Sequence, residues 1–387
     1  MTLDTRVSPG DVTPPEPVLE PFGGPNVVAA RWQQLLPDGR LQCDLCPREC
    51  RLRDGQRGYC FVRERRGNHI VLTTYGQCSG VAIDPIEKKP LFHFYPGSEV
   101  LSFGTAGCNL GCKYCQNWDI SAAKDRHRLG TDAPPASIVE VCVAHQVPSI
   151  AFTYNDPVIF AEYAIDTAKA AAASGINPIA VTAGYINPEA RSEFFAPMAA
   201  TNIDLKAMDE DFYWRLTGGH LRNVLDTIAY VHHETDTWLE ITNLVIPGYN
   251  DDDAQIAALV NWVASELGPD VPVHFSAFHP DFKLRDVPRT PPATLTRARQ
   301  IALDAGLNYV YVGNVDDPAG SSTFCPNCHT ELIHREWYNV GKINLVADAD
   351  AQAMDAATTR SMTVGDSAAG FRQAYCPHCL TPIAGRF

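Results

Sequence analysis

The chain has 387 residues, 45% hydrophobic and 20% charged, enough for one large domain with smaller appendages and a sizeable core. Its 31 Lys and Arg against 45 Asp and Glu leave a formal charge of −14, which argues against nucleic acid and acidic membrane faces as partners. No stretch reaches the roughly 20 apolar residues that span a bilayer, and the Pro-rich start lacks the order of a secretion signal, so a cytoplasmic location is expected.

In chain order, residues 1–30 carry Pro9, Pro14, Pro15, Pro17, Pro21 and Pro25 among small and acidic residues and are expected to form a disordered tail. Residues 31–98 form a Cys-rich segment holding Cys43-x-x-Cys46-x-x-x-Cys50 and Cys60. Four thiolates there can bind zinc or an auxiliary iron–sulfur cluster, and spacing alone does not separate the two; a structural metal is the preferred expectation. Arg48, Arg51, Arg53, Arg57, Arg63, Arg65 and Arg66 make this segment a basic island, expected as a solvated face paired with acidic neighbours, with docking of an anionic partner as the sharper alternative. Lys88, Lys89 and His93 of PIEKKPLFHF either line a substrate mouth or, more simply, include a solvent-exposed Lys pair.

Residues 99–318 alternate strand-like and helix-like stretches. Strands are predicted at EVLSFGT from Glu99, SIAFTYN from Ser149, NPIAVTAG from Asn177, NIDLKA from Asn202, WLEITNLVIPG from Trp238, VPVHFSAFHP from Val271 and LNYVYVG from Leu307. Helices are predicted over 135–146, 157–174, 188–200, 221–233, 251–267 and 292–305, several opening on proline. Repeated strand–helix units imply an α/β fold of parallel strands with right-handed crossovers, best matched by a partial β/α barrel whose chemistry gathers where strands meet their following loops. Polar residues recur at those ends: Tyr154, Asn155 and Asp156; Thr182 and Gly184; Asp204 and Lys206; Asn243 and Asn250; His279. Singly, each reads as a loop cap; their recurrence points to a site. In residues 319–387, Cys325-Pro-Asn-Cys328 and Cys376-Pro-His-Cys379 form paired knuckles, expected to be a zinc-ribbon-like module with a flexible insert over 347–369. Eleven of the 13 cysteines thus fall in metal-type groups, which suits a reducing compartment; Cys78 and Cys142 stand alone and are expected to be buried and inert.

GCNLGCKYCQN from Gly107 directly follows the first of these strands and packs Cys108, Cys112 and Cys115 into eight residues. A C-x-x-x-C-x-x-C loop can ligate three irons of a cubane cluster and leave the fourth without a protein ligand, a vacancy that structural zinc and electron-transfer ferredoxins normally close. S-adenosylmethionine fits it: its amino and carboxylate groups can chelate the free iron, and one electron cleaves the sulfonium to a 5′-deoxyadenosyl radical. A ferredoxin-like iron–sulfur electron-transfer protein and a zinc-bearing interaction module are the alternatives from other classes.

The segment from Cys108 to Cys115, with Tyr114 before its last cysteine, resembles the radical S-adenosylmethionine (SAM) superfamily. DPIEKKPLFHFYPG from Asp84, FTYNDP from Phe152, VTAGYI from Val181, NIDLK from Asn202, LVIPGYND from Leu244, HFSAFHPD from His274 and YVGNV from Tyr311 resemble the radical enzymes of the AmmeMemoRadiSam system, relatives of pyruvate formate-lyase activating enzyme. The resemblance implies a [4Fe–4S] cluster on Cys108, Cys112 and Cys115, with SAM as second cofactor. It implies Tyr154, Asn155 and Asp156 at the methionyl amino group, Asp156 replacing the usual Glu. Thr182 and Gly184 would line the cofactor, Asp204 and the catalytic Lys206 its carboxylate region, and His279 its nucleoside. It further implies reduced flavodoxin or ferredoxin as electron donor, and either a glycyl-radical-enzyme partner or Memo-like and Ammecr-like companion proteins.

Overall fold

The computed structural model describes residues 24, 26–123, 130–347 and 374–387. The tail expected over 1–30 lies outside them up to residue 23, as does the insert expected over 347–369 from residue 348 on. Among the described residues no helix is long and apolar enough to cross a membrane.

The seven apolar runs form parallel strands: β1 (Glu99–Gly104), β2 (Ser149–Phe152), β3 (Asn177–Thr182), β4 (Ala200–Asp204), β5 (Trp238–Val245), β6 (Val273–Ala277) and β7 (Val310–Gly313). Each pairs with the next in chain order. The crossovers carry α1 (Pro135–His145), α2 (Ala161–Ala173), α3 (Pro188–Phe195), α4 (Leu221–Glu234), α5 (Asp253–Glu266) and α6 (Pro292–Asp304). Proline opens α1, α3 and α6, where its missing N–H would have had no helical partner. Asp252 caps α5 by accepting from Gln255 N. The helix predicted to reach residue 200 stops at Phe195, because Pro197 cannot continue it and Ala200 already begins β4.

The sheet is mixed. Gln77–Pro85 runs antiparallel to β1 and pairs in turn with Thr131–Asp132. Side chains alternate across the parallel strands: Leu101, Phe103, Ile150, Phe152, Ala180 and Ile203 face the main core, while Val100, Ala151, Ile179 and Ala200 meet Ile86, Leu91 and Phe94. Residues 86–94 therefore cover the inner face at the strands' N-terminal ends. Asn202 Nδ2 donates to Pro90 O, and the Glu240 carboxylate accepts from Phe92 N and His93 N. The C-terminal ends are left to the loops that follow them, where the site lies.

This packing corrects the expectation for PIEKKPLFHF. His93 is fully buried: its Nδ1–H donates to Ala384 O at 2.6 Å, so Nε2 accepts from the Tyr311 hydroxyl at 2.5 Å. Lys89 is also buried and ion-paired with Asp84; of the pair, only Lys88 is exposed.

The N-terminal segment folds into two small antiparallel sheets, Gln33–Leu35/Leu41–Cys43/Arg51–Leu52 and Val28–Ala29/His69–Leu72/Arg63–Arg66. Its basic island is mostly spent internally. Arg57 and Arg66 pair with Glu64, Arg65 donates to three carbonyls, and Arg63, with its side chain 2% exposed, pairs with Glu162 of α2 and donates to Ile159 O. At the other end, Thr323–Phe324, Glu331–Glu336 and Asn339–Ile343 form one antiparallel sheet, and Val346–Ala347, Ala374–Tyr375 and Pro382–Ile383 another. Their shared core includes Phe92, Tyr309 and Tyr311, which fixes this module against the inner face of the large sheet.

Candidate active site

The cysteine loop is held on three sides. At the end of β1, Gly104 has no room for a side chain: a Cβ would lie 2.5 Å from Thr153 O and 2.6 Å from Asn155 Oδ1. Asn155 Nδ2 donates to Gly107 O at 2.7 Å, and its Oδ1 accepts from Thr105 N at 3.2 Å. Across the loop, Gly111 N and Lys113 N donate to Thr217 O and Leu216 O of a π-helical turn, Tyr213–Thr217. From the N-terminal segment, Arg48 Nε donates to Asn109 O at 2.8 Å. Asn155 is thus a clamp on the loop, with its amide already engaged.

Tyr154 and Asp156 flank that clamp. Tyr154 adopts φ = 70°, a left-handed conformation that a bulky residue reaches only under local constraint. Its carbonyl accepts from Asn117 Nδ2, its hydroxyl lies 3.4 Å from Asp84 Oδ2, and Lys89 Nζ sits 5.0 Å from its ring centroid. Burial pulls the Lys89 ammonium below its ordinary range, with Asp84 opposing. Asp156 Oδ1 accepts from Val158 N at 3.1 Å and from the Thr182 hydroxyl at 2.8 Å, which itself accepts from Gly184 N. Asp156 Oδ2, in contrast, is buried with no hydrogen-bond partner. Burial pushes this carboxyl up to about 6, against the Thr182 and Val158 hydrogen bonds. Burial pushes the Cys108 thiol up and the nearby Asp156 carboxylate adds to this, so Asp156 lies next to the cysteine loop.

Opposite, β4 ends in an ion pair, Lys206 Nζ to Asp204 Oδ2 at 3.0 Å. Burial opposes the Lys206 charge, but Asp204, with Tyr114, Cys112 and Tyr213, outweighs it and holds the ammonium firmly protonated. Burial raises the Cys112 thiol to about 11 while the Lys206 charge pulls it down. Asn243 and Asn250 donate to Leu205 O and Lys206 O, so both serve as backbone supports of the β4 loop. Gly184, at φ = 66°, would place a Cβ 3.0 Å from Ile203 Cγ2. His279, two residues past β6, is exposed, with its ring near its neighbour Pro280 O.

One loop therefore sets Cys108 near a carboxyl that keeps one oxygen unpaired and Cys112 near a protonated amine, with Cys115 on the same loop. The donor set fits a cluster ligated at three corners, and the carboxylate and ammonium fit the two ends of an amino acid moiety. The sequence reading missed the roles of Asp84, Asn117, Ser121 and Tyr213. Ser121 Oγ lies 3.2 Å from Cys115 Sγ, and the Tyr213 hydroxyl accepts from Lys206 N. Asp84, as the first residue of DPIEKKP, and Asn117, as the last of GCNLGCKYCQN, carried a signal.

The C-terminal thiols are arranged differently. Cys325 Sγ is 3.5 Å from Cys379 Sγ and Cys328 Sγ 3.6 Å from Cys376 Sγ, and all four lie within 4.8 Å of one another. Tetrahedral thiolates at about 2.3 Å from one ion stand about 3.8 Å apart, so this set fits a single metal.

The model of the Radical SAM superfamily matches residues 103–260. An uncharacterized protein of Methanocaldococcus jannaschii is 41% identical over 316 residues, 82% of this chain and 94% of that protein. Another protein of that organism, provisionally named a glycyl-radical enzyme activating enzyme, is 28% identical over 171 residues, 43% of this chain and 64% of that protein. Among solved structures, a domain of pyruvate-formate lyase-activating enzyme from Bacteroides vulgatus is 22% identical, covering 42% of this chain and 98% of that one with a TM-score of 0.38.

The chain belongs to the radical SAM superfamily and is an enzyme. Members of this superfamily use a [4Fe–4S] cluster and SAM as cofactors.

Proposed function

We propose that this enzyme cleaves SAM reductively and uses the resulting 5′-deoxyadenosyl radical to take a hydrogen atom from a companion protein or its small-molecule substrate. Cys108, Cys112 and Cys115 would hold a [4Fe–4S] cluster at three corners, and that cluster would supply the electron for reductive cleavage of the sulfonium. The protein's own contribution is to position SAM. Asp156 Oδ2 accepts from the methionyl ammonium, Lys206 faces the carboxylate as a point charge, and Tyr154, Thr182, Gly184 and Asp204 shape the pocket, with His279 towards the nucleoside. The observation that carries this reading is the buried, unpartnered Asp156 Oδ2 beside the three-cysteine loop, since such an oxygen is costly unless a donor meets it.

The barrel spans about 99–318, the N-terminal Cys-rich segment 31–98, and the C-terminal module 319–387 is a zinc ribbon on Cys325, Cys328, Cys376 and Cys379. The motifs shared with the AmmeMemoRadiSam radical enzymes favour Memo-like and Ammecr-like companions, with reduced flavodoxin or ferredoxin as donor. The similarity to a provisionally named activating enzyme favours a second target, a glycine of a glycyl-radical enzyme. The test is anaerobic reconstitution with iron, sulfide, reductant and SAM, followed by chromatography of the products. Wild type yields 5′-deoxyadenosine, and deuterium from the true substrate enters it; a Cys112→Ala variant that yields as much would refute the reading.

A further inference from the structure

The four N-terminal cysteines are built unlike the C-terminal four. Cys43, Cys46, Cys50 and Cys60 line a single recess of ≈ 360 Å³, counting its open mouth, together with Arg48 and Asn109. Among the described residues, the only group of three or more side chains placed to share one metal ion is the C-terminal one, so these four thiols are not gathered round a single ion. Thiols that share a cavity yet stand apart match a polynuclear centre better than one ion, which draws its ligands to about 2.3 Å.

The recess is also prepared for negative charge. Backbone amides surround the thiols: Tyr59 N donates to Cys50 Sγ at 3.4 Å, and those of Leu45, Arg48, Val62 and Arg63 lie near Cys43, Cys46 and Cys60. Arg48 Nη2 is buried without a hydrogen-bond partner while the same guanidinium stacks 3.8 Å over the Tyr59 ring. A buried guanidinium edge beside a thiol-lined recess favours negative charge there, which thiolates and inorganic sulfide both supply.

We propose that Cys43, Cys46, Cys50 and Cys60 ligate a second, fully coordinated iron–sulfur cluster. This replaces the structural metal preferred from spacing alone. The site adjoins the active-site loop: Asn109, next to Cys108, lines the recess, Arg48 Nε donates to Asn109 O, and a Cβ on Gly107 would come 2.1 Å from Cys60 O. The two centres therefore share a wall.

The experiment removes the first centre and counts the second. A Cys108→Ser/Cys112→Ser/Cys115→Ser variant is reconstituted anaerobically with iron and sulfide, then assayed for iron, acid-labile sulfide and zinc. Iron and sulfide in roughly equal amounts, lost on adding Cys46→Ser and Cys50→Ser, are the expected result. Zinc in their place, with no sulfide, overturns the proposal. Should the triple variant not fold, wild-type protein gives the same decision through Mössbauer spectroscopy: two cluster environments support the assignment, and one, accompanied by a second zinc, refutes it. The readout does not depend on SAM cleavage, so failure of the proposed reaction and failure of this site are separable.

Discussion

Replacing Asp156 with Asn separates the role of its two carboxylate oxygens. Oδ1 already accepts from Val158 N at 3.1 Å and Thr182 Oγ1 at 2.8 Å, and an asparagine carbonyl keeps both, so the turn that precedes α2 stays capped. Oδ2 has no partner within the protein, and in Asp156→Asn an N–H₂ stands in its place. The variant loses one hydrogen bond between charged groups, worth about 1.5–3 kcal/mol, which converts to an affinity for SAM about 10- to 150-fold weaker. Folding stability should hold or rise slightly, because an unsatisfied buried carboxylate has gone. Anaerobic equilibrium dialysis of reconstituted protein measures the affinity, with iron content as the control. A dissociation constant within twofold of wild type, at equal iron, would refute the assignment of Oδ2 to the cofactor.

Three other expectations follow from the same geometry. Lys206→Ala should weaken SAM binding severalfold without loss of iron, since the ammonium lies near Cys112 without being a ligand and its proposed partner is the cofactor carboxylate; unchanged affinity would defeat that role. Glu162→Ala leaves the Arg63 guanidinium buried and unpaired and should cost about 3–5 kcal/mol in anaerobic urea unfolding, whereas a loss under 1 kcal/mol would mean the pair is solvated in solution. His93 is depressed to about 4, from an ordinary 6.5, by burial and then by the nearby Arg335 charge, against the pull of Glu240. The unfolded imidazole takes up a proton that the folded one refuses, so this contribution is full above pH ~6.5 and falls by ~3 kcal/mol as pH drops to ~4. Urea unfolding across that range should show a shallower decline in His93→Asn than in wild type; identical slopes would place the titration elsewhere.

Much of the fold was legible because its parallel strands are short, apolar runs bounded by proline, glycine and polar loops, and all seven formed where they were expected. Gln77–Pro85 was missed for a physical reason. Its register shifts between Ser79 and Ala82, where Gly80 has φ = 67°, and its apolar Val81 and Ile83 are 50% and 39% exposed, so no inward alternation marks it. In the site, the cysteine triad was readable because its spacing is local, and strand-end polarity singled out Asp156 and Lys206. What each side chain does was not readable. Asn155 and Asp156 are neighbours of similar shape, yet one spends its amide on the cysteine loop and the other keeps an oxygen free. The Arg island shows the same limit, since Arg63 turns into the core to meet a glutamate 99 residues away.

The most direct test of the account is electron–nuclear double resonance on the reduced, reconstituted protein with SAM labelled at its methionyl amino nitrogen. Hyperfine coupling between that nitrogen and the cluster, present in wild type and absent in Cys112→Ser, is the predicted result. A wild-type spectrum that SAM leaves unchanged, at full iron loading, would contradict the claim that the loop holds a cluster with an open iron for this cofactor.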